Sequence, residues 1–308
     1  METTRNDVPN ILGIGELLWD LLPAGPQLGG APANYTVMAG RLGNHASIIS
    51  RIGRDALGAR ALEVLKPFPV NCGLLQFDED HPTGSVTVEL KEGQPSYTIH
   101  QPVAWDFCEL SDAWLAAAHS ADAVCFGSLG QRGDQSRATV QSMVRATRPG
   151  CQRIFDVNLR APFYNAQIVR ESLGLATVMK MNDQEVPIVL DLLGIPPTGT
   201  LRDGADQLLK HFESLQLVAI TCGGDGSLLV SRSEWNHHPG IAIKVADTIG
   251  AGDAFTAAMT HYLLRGAPLR TLNEAGNRWG SFVASHSGAM PEISPETLSA
   301  IAAQIEAN

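Results

Sequence analysis

The recurrence of short strands that are apolar on both faces constrains this chain most. Predominantly apolar runs occur at Ile11–Gly15, Ser47–Ile52, Ala123–Gly127, Arg153–Val157, Val178–Met181 and Leu217–Thr221. Helical patterns lie between them, among others at Pro32–Leu42, Gln135–Thr147 and Gly204–Leu215. A strand that is apolar on both sides needs cover on both sides, and alternating helices supply it around a largely parallel sheet. The spacing therefore predicts an α/β fold with helices on both faces of one sheet. Strand-like pieces at Ser227–Ser231 and Ile241–Val245 precede a last third, Gly252 to Ala307, that reads as mostly helical. One region breaks the alternation. Thr83–Leu90 and Ser96–Gln101 read as two strands joined by a turn at Lys91-Glu92-Gly93-Gln94-Pro95. The polar alternation Ser85, Thr87, Glu89 turns one face of that hairpin toward solvent or a ligand, as in a lid or a subunit contact.

With 308 residues the chain is long enough for one large α/β domain or two small ones, and neither a repeat nor a linker divides it. A formal charge of −10 disfavours a nucleic-acid partner, because phosphate backbones are held by basic surfaces. The five cysteines are odd in number and scattered, with no C-x-x-C pair, which suits a reducing compartment and small core hydrophobes. No run approaches the roughly 20 apolar residues of a membrane span. The polar stretch Met1 to Asn10 lacks the apolar segment of a secretion signal. A cytoplasmic protein without a membrane partner is the expectation.

The most informative segment is Asp247-Thr248-Ile249-Gly250-Ala251-Gly252-Asp253-Ala254-Phe255. An amphipathic helix follows, with Phe255, Ala258, Met259 and Tyr262 on one face and a stop at Gly266 and Pro268. The Gly-Ala-Gly triplet thus opens a helix, where backbone N–H groups lack intrahelical partners and the dipole favours an anion. Asp253 would repel that anion unless the chemistry needs a carboxylate there. Phosphoryl transfer does: the carboxylate takes the proton of the attacking hydroxyl while the N–H groups stabilise the transferring phosphoryl. A bare G-x-G-D would equally describe a tight turn with an acidic cap.

The whole D-T-x-G-A-G-D-A-F string resembles the C-terminal signature of the ribokinase-like (PfkB) carbohydrate kinases. The resemblance implies Asp253 as catalytic base and Gly250, Ala251 and Gly252 as the anion hole. It also implies that the backbone at Asp247 and Ile249 helps to hold a monovalent cation such as K+. Gly29-Gly30-Ala31-Pro32-Ala33-Asn34, closed by Arg41-Leu42-Gly43, is similar to the family's N-terminal signature. Pro32 suits a first helical turn, and the Asn34 amide can both donate to and accept from sugar hydroxyls. Asp20, within Leu17-Leu18-Trp19-Asp20-Leu21-Leu22, either points to water from an edge strand or binds a ligand. The family places an early Asp on two sugar hydroxyls, which makes Asp20, with Gly30 and Asn34, a substrate ligand.

Asp156-Val157-Asn158-Leu159-Arg160 ends a strand, where open α/β sheets carry their ligand groups, and resembles the D-x-N-x-R stretch of fructokinase-like members. Asn158 and Arg160 are then substrate-side residues. Asn182-Asp183-Gln184-Glu185 resembles the N-x-x-E motif, implying Asn182 near the nucleotide phosphates and Glu185 on Mg2+ through water. Thr221-Cys222-Gly223-Gly224-Asp225-Gly226 looks like the nucleotide-binding turn, with Thr221, Gly223, Gly224 and Gly226 facing ATP. Asn277 matches a position that meets adenine. His286-Ser287-Gly288-Ala289 departs from the family pattern at the cation site and leaves activation by K+ open. His237-His238 reads as part of a solvated surface turn.

The resemblance runs from about Ile11 to Met290. It implies a ribokinase-like three-layer α/β/α domain over residues 10–300, with a β lid from about 17–28 and 82–103 that pairs two copies into a homodimer. The implied reaction is ATP- and Mg2+-dependent phosphorylation of a small sugar. Fructose comes first, with 2-keto-3-deoxygluconate, ribose or a nucleoside as alternatives. A turnover-deficient sugar-binding regulator is the alternative of another class. The absence of G-x-x-x-x-G-K-[ST] and of a completed G-x-G-x-x-G disfavours a P-loop protein and a nicotinamide-dependent dehydrogenase.

Overall fold

The computed structural model describes residues 8–22, 25–91 and 94–307. Among these, nine strands form the central sheet. Their order is Trp235–His238, Ser227–Ser231, Leu217–Thr221, Val178–Asn182, Gln152–Asp156, Ala123–Gly127, Asn10–Ile14, His45–Ile49 and Val70–Asn71. Every neighbouring pair from Leu217–Thr221 to Val70–Asn71 is parallel, and the two strands beyond Leu217–Thr221 run antiparallel. The strands are apolar on both faces because both faces are covered. Leu12, Ile14, Val124, Phe126, Phe155 and Met179 join one buried cluster. Ile11, Cys125, Ile154, Val178 and Ala219 join another, with Phe255 and Trp279 of the helices Ala251–Leu263 and Leu269–Ala284. At about 1.5–3 kcal/mol for each large side chain fully removed from water, these two clusters dominate the stabilisation. The expected three-layer ribokinase-like α/β/α architecture is what the chain adopts.

Asn10–Ile14 is the point at which strand order reverses. Later strands add first on one side, at His45–Ile49, and then on the other, from Ala123–Gly127 onward. Loops leaving the carboxyl ends diverge at such a point and open a crevice. A second sheet, in the order Gly25–Gly29, Leu18–Leu22, Gly84–Lys91 and Gln94–Ile99, is the expected lid. Its base is fastened by Trp19, which is buried and donates from Nε1 to the Leu57 carbonyl at 3.0 Å. Glu92 and Gly93 of the expected hairpin turn, and residues 1–7 of the polar N-terminal stretch, lie outside the described residues.

Four details correct the sequence reading. Ser47–Ile52 is not one strand. Ser50 is buried with its carbonyl accepting from Gln76 N–H, and Arg51–Gly53 leaves the main sheet to pair with Gln76–Asp78. The helix expected over Gly204–Leu215 spans Leu201–His211, capped by Thr200, because Phe212 is already extended. Ile241–Val245 is irregular backbone with residues 242–245 exposed, whereas Trp235–His238, read as a surface turn, is the edge strand. His238 is accordingly not solvated. Its Nε2 lies 3.0 Å from Glu274 Oε2, and its Nδ1 accepts from the Gly240 N–H at 3.0 Å.

Candidate active site

The crevice at the strand carboxyl ends is a cleft of about 900 Å³, roofed on one side by Leu18, Asp20, Val86 and Ile99 of the lid sheet. Every site residue expected from the sequence lines it except Glu185 and Asp247.

The helix Ala251–Leu263 begins at Gly250, whose φ of 78° places it in the left-handed region that suits glycine. No side chain caps this helix. The Ala251 N–H bonds back to Thr248 O at 3.3 Å and the Ala254 N–H bonds to Gly250 O at 2.9 Å. Among the described residues the N–H groups of Gly252 and Asp253 find no acceptor, which leaves a first turn whose free donors suit an anion open to the cleft. Asp247 fixes the approach to it, accepting from the Ile249 N–H at 3.0 Å and from the Gly288 N–H at 3.1 Å. The divergent 286–289 segment therefore still braces the motif.

Asp253 lies half-buried beside those amides and accepts a 2.8 Å hydrogen bond from Asn34 Nδ2. Burial and the charge of Asp156 push its carboxyl up to about 6, while the Asn34 bond and the cations Lys180 and Arg160 pull it down. A base of that strength suits proton abstraction near neutral pH. Asn34 is itself buried, and with its amide nitrogen on Asp253 its Oδ1 has no partner among the described residues. Oδ1 can accept from a ligand hydroxyl while Nδ2 steadies the Asp253 carboxylate. The φ of 105° at Gly30 starts the Asn34 helix, and a Cβ there would meet the Glu16 carbonyl at 2.4 Å. Asp20, across the cleft on the lid strand, has no hydrogen-bond partner for its carboxylate among the described residues. Burial raises its pKa, Arg160 lowers it and Asp247 raises it. Arg160 is exposed and lines the cleft.

On the opposite side, Gly223–Asp225 forms a tight turn between two antiparallel strands, with Thr221 and Asn182 at neighbouring strand ends. Asn277 is buried on the Leu269–Ala284 helix. Its amide nitrogen is committed to Ser227 Oγ at 2.6 Å and to the Asn273 carbonyl at 2.8 Å, so its amide oxygen is the atom left for a ligand. Glu185 does not reach the cleft. Buried to 6 % exposure, it accepts from the Leu159 N–H at 2.7 Å through Oε1 and from the Asn182 N–H at 2.8 Å through Oε2. It ties the substrate-side turn to the nucleotide-side turn. Glu185→Ala strands two half-buried N–H groups, each costing up to about 1–3 kcal/mol. The expected outcome is a clear fall in the urea unfolding midpoint together with weaker ATP binding.

Two residues in the cleft wall were not singled out from the sequence. Glu16 is buried, with Oε1 accepting from the Ala31 N–H at 3.3 Å and Oε2 unpartnered among the described residues. Burial pushes its carboxyl up to about 7. Lys180 lines the cleft from the middle of an otherwise apolar strand, beside Asp156 in register. A lone cation in the run Val178–Asn182 was the signal for it.

The pfkB family carbohydrate kinases match residues 26–296. An uncharacterized sugar kinase from Pyrococcus horikoshii is 32% identical over 272 residues, covering 83% of each chain. A fructokinase from Escherichia coli is 28% identical over 301 residues, covering 91% of this chain and 94% of that one. Among solved structures, the Pyrococcus kinase in complex with ATP superimposes with a TM-score of 0.76 at 30% identity, over 91% of this chain and 94% of that one. A fructokinase from Xylella fastidiosa with bound ATP gives 0.82 at 21% identity, over 96% and 99%, a likeness of fold. With the matched segment running from the lid through the Gly250–Asp253 helix start to the last helix, this chain belongs to the pfkB family of carbohydrate kinases.

Proposed function

We propose that this carbohydrate kinase transfers the γ-phosphoryl group of ATP to a primary hydroxyl of a small uncharged sugar, with fructose the first choice. The observation that carries this reading is the pairing of Asp253, raised to about 6, with the unsatisfied N–H groups of its own helix start. Asp253 takes the hydroxyl proton, the freed oxygen attacks the γ-phosphorus, and the amides of the Gly250–Gly252 turn hold the charge that develops on the phosphoryl oxygens. The turn at Gly223–Gly226, Thr221, Asn182 and Asn277 takes the nucleotide, and the solution of the 30% identical Pyrococcus kinase in complex with ATP supports a nucleotide site in this fold. Asp20, Gly30, Asn34, Asn158 and Arg160 take the sugar beneath the lid, whose closure keeps water from competing with it.

The charge of the cleft favours a neutral sugar over a sugar acid. Of its two lining cations, Lys180 is paired with Asp156, and Arg160 already faces the charges of Asp20, Asp253 and Glu16. Among the described residues no further cation lines the cleft to receive a substrate carboxylate, and the Asp20 carboxylate, without a hydrogen-bond partner among those residues, suits hydroxyl donors. The Escherichia coli fructokinase relative supports the same choice. A higher kcat/KM for 2-keto-3-deoxygluconate than for fructose would reverse it.

Magnesium fits as a companion of ATP. No group of three or more His, Cys, Asp or Glu among the described residues could hold a metal, and Mg2+ keeps its waters and needs few protein ligands. When bound it neutralises charge on the phosphates, and Glu185 then acts on it only through water. The carbonyls of Asp247 and Ile249 are our candidates for a monovalent cation, checked by activity in K+ against Na+. We further read residues 10–300 as one domain of a cytoplasmic enzyme that dimerises through its lid, which sedimentation equilibrium tests. Among the described residues no helix is long and apolar enough to cross a membrane.

The base must be ionised to act. Log kcat/KM for the sugar therefore rises with slope one below an apparent pKa of about 6 and levels off above it. A profile flat from pH 5 to 8 would remove Asp253 from the role of base. ADP release coupled to NADH oxidation, run on a panel of sugars and nucleosides, tests the function as a whole.

A further inference from the structure

Lys180 is 7% exposed on the sheet face that meets the helix Ala251–Leu263. Its Nζ lies 3.2 Å from Asp156 Oδ1. The Thr256 hydroxyl sits between Asp156 Oδ2, at 2.8 Å, and the Gly252 carbonyl, at 3.0 Å. A Cβ built on Gly252 would come within 2.8 Å of Nζ, so the ammonium rests directly against the anion-binding turn. An ammonium has three donors, and among the described residues Asp156 is its one hydrogen-bond acceptor. A buried ammonium with unmet donors is costly, and a buried ion pair is by itself weak evidence of stabilisation. The same side chain lines the cleft, where an anion would satisfy those donors.

We propose that Lys180 is a catalytic residue whose ammonium contacts the transferring phosphoryl group, held against Gly252 by Asp156 and Thr256 as positioning residues. This rests on the reading of the cleft as a phosphoryl-transfer site. Burial pulls the Lys180 pKa down, but Asp156, Asp253 and Glu185 outweigh it and the net shift is upward, so the group stays a cation. It then adds its charge beside the amides of the helix start, where preorganised positive charge lowers the barrier most.

Lys180→Met leaves Asp156 buried and unpaired, which threatens folding. The decisive variant is therefore the double Lys180→Met/Asp156→Asn, in which the new amide oxygen at position 156 can still accept from Thr256. Wild type and both variants are compared for melting temperature, for steady-state kinetics with MgATP and the best sugar of the panel, and for calorimetric affinity toward MgADP with and without aluminium fluoride. The expected double variant folds, retains both KM values within about threefold, and loses kcat by roughly 10²–10³-fold. Its affinity for MgADP with aluminium fluoride, which mimics the transferring phosphoryl, falls by a similar factor, while that for MgADP alone is unchanged. A folded double variant with kcat within tenfold of wild type would overturn the inference and leave Lys180–Asp156 a structural pair. Turnover lost with no selective loss of aluminium fluoride binding would overturn it too. Absence of turnover in wild type on every sugar would overturn the phosphoryl-transfer reading itself, and the role of Lys180 with it.

Discussion

Asp253→Asn is expected to lower kcat by roughly 10²–10⁴-fold, the usual contribution of a positioned general base. The substitution removes the proton acceptor with little change of shape. The new amide can still accept from Asn34 Nδ2 through its oxygen, keeping the 2.8 Å contact that joins the base to the sugar side. Sugar and ATP should therefore bind nearly as before, and the loss should fall on kcat rather than on KM, the mark of an interaction made only in the transition state. The acid limb near pH 6 should vanish from whatever activity remains, because its titrating group is gone. A variant whose kcat stays within threefold of wild type would assign the proton to another group.

Gly250→Ala carries the second large effect, on activity and stability together. The left-handed conformation at φ 78° costs an alanine about 1–2 kcal/mol. Its Cβ would also stand 2.6 Å from Ala289 Cβ and 2.7 Å from Ala289 Cα, so the 286–290 segment must shift, at about 1–3 kcal/mol for overpacking. Moving that segment disturbs the Gly288 N–H to Asp247 bond and with it the aim of the unsatisfied amides. The sum, about 2–5 kcal/mol, predicts roughly 4–20 °C off the melting temperature at about 2–4 °C per kcal/mol. Misplaced anion-hole donors should lower kcat by roughly 10²-fold or more. Calorimetric melting with steady-state kinetics checks both. Wild-type turnover in a folded variant would show that the turn does not carry the phosphoryl group.

The parallel sheet was legible because its strands are buried on both faces, a pattern that few other environments produce. The same criterion misled at Ile241–Val245. Ile241, Ile243 and Val245 alternate like a strand, but they line the cleft instead of joining the sheet. The edge strand Trp235–His238 escaped notice because an edge has one solvent face and its polar residues read as a turn. The place of Asp20, Asn34 and Asp253 in one cleft was legible from motif and local chemistry. Only the folded chain shows that Asn34 spends its amide nitrogen on Asp253. Glu185 was expected to act on Mg2+ through water; that its oxygens also accept from the Leu159 and Asn182 amides, across 26 residues of chain in one case, is a contact the sequence does not announce. Glu16 and Lys180 looked incidental in their segments, since a carboxylate or an ammonium gains its role from partners that the sequence keeps far apart. Asp156 and Thr256, which hold Lys180, are themselves 100 positions apart.

The most direct test of the central claim is ³¹P NMR of the reaction of wild-type protein with MgATP and each sugar of the panel, fructose first, beside an Asp253→Asn control. The account predicts a sugar monophosphate resonance growing in step with ADP, and almost none in the control. Sugar bound by calorimetry but ATP left intact with every member of the panel would contradict it, and would mark the chain as a binder that has kept the fold without the reaction.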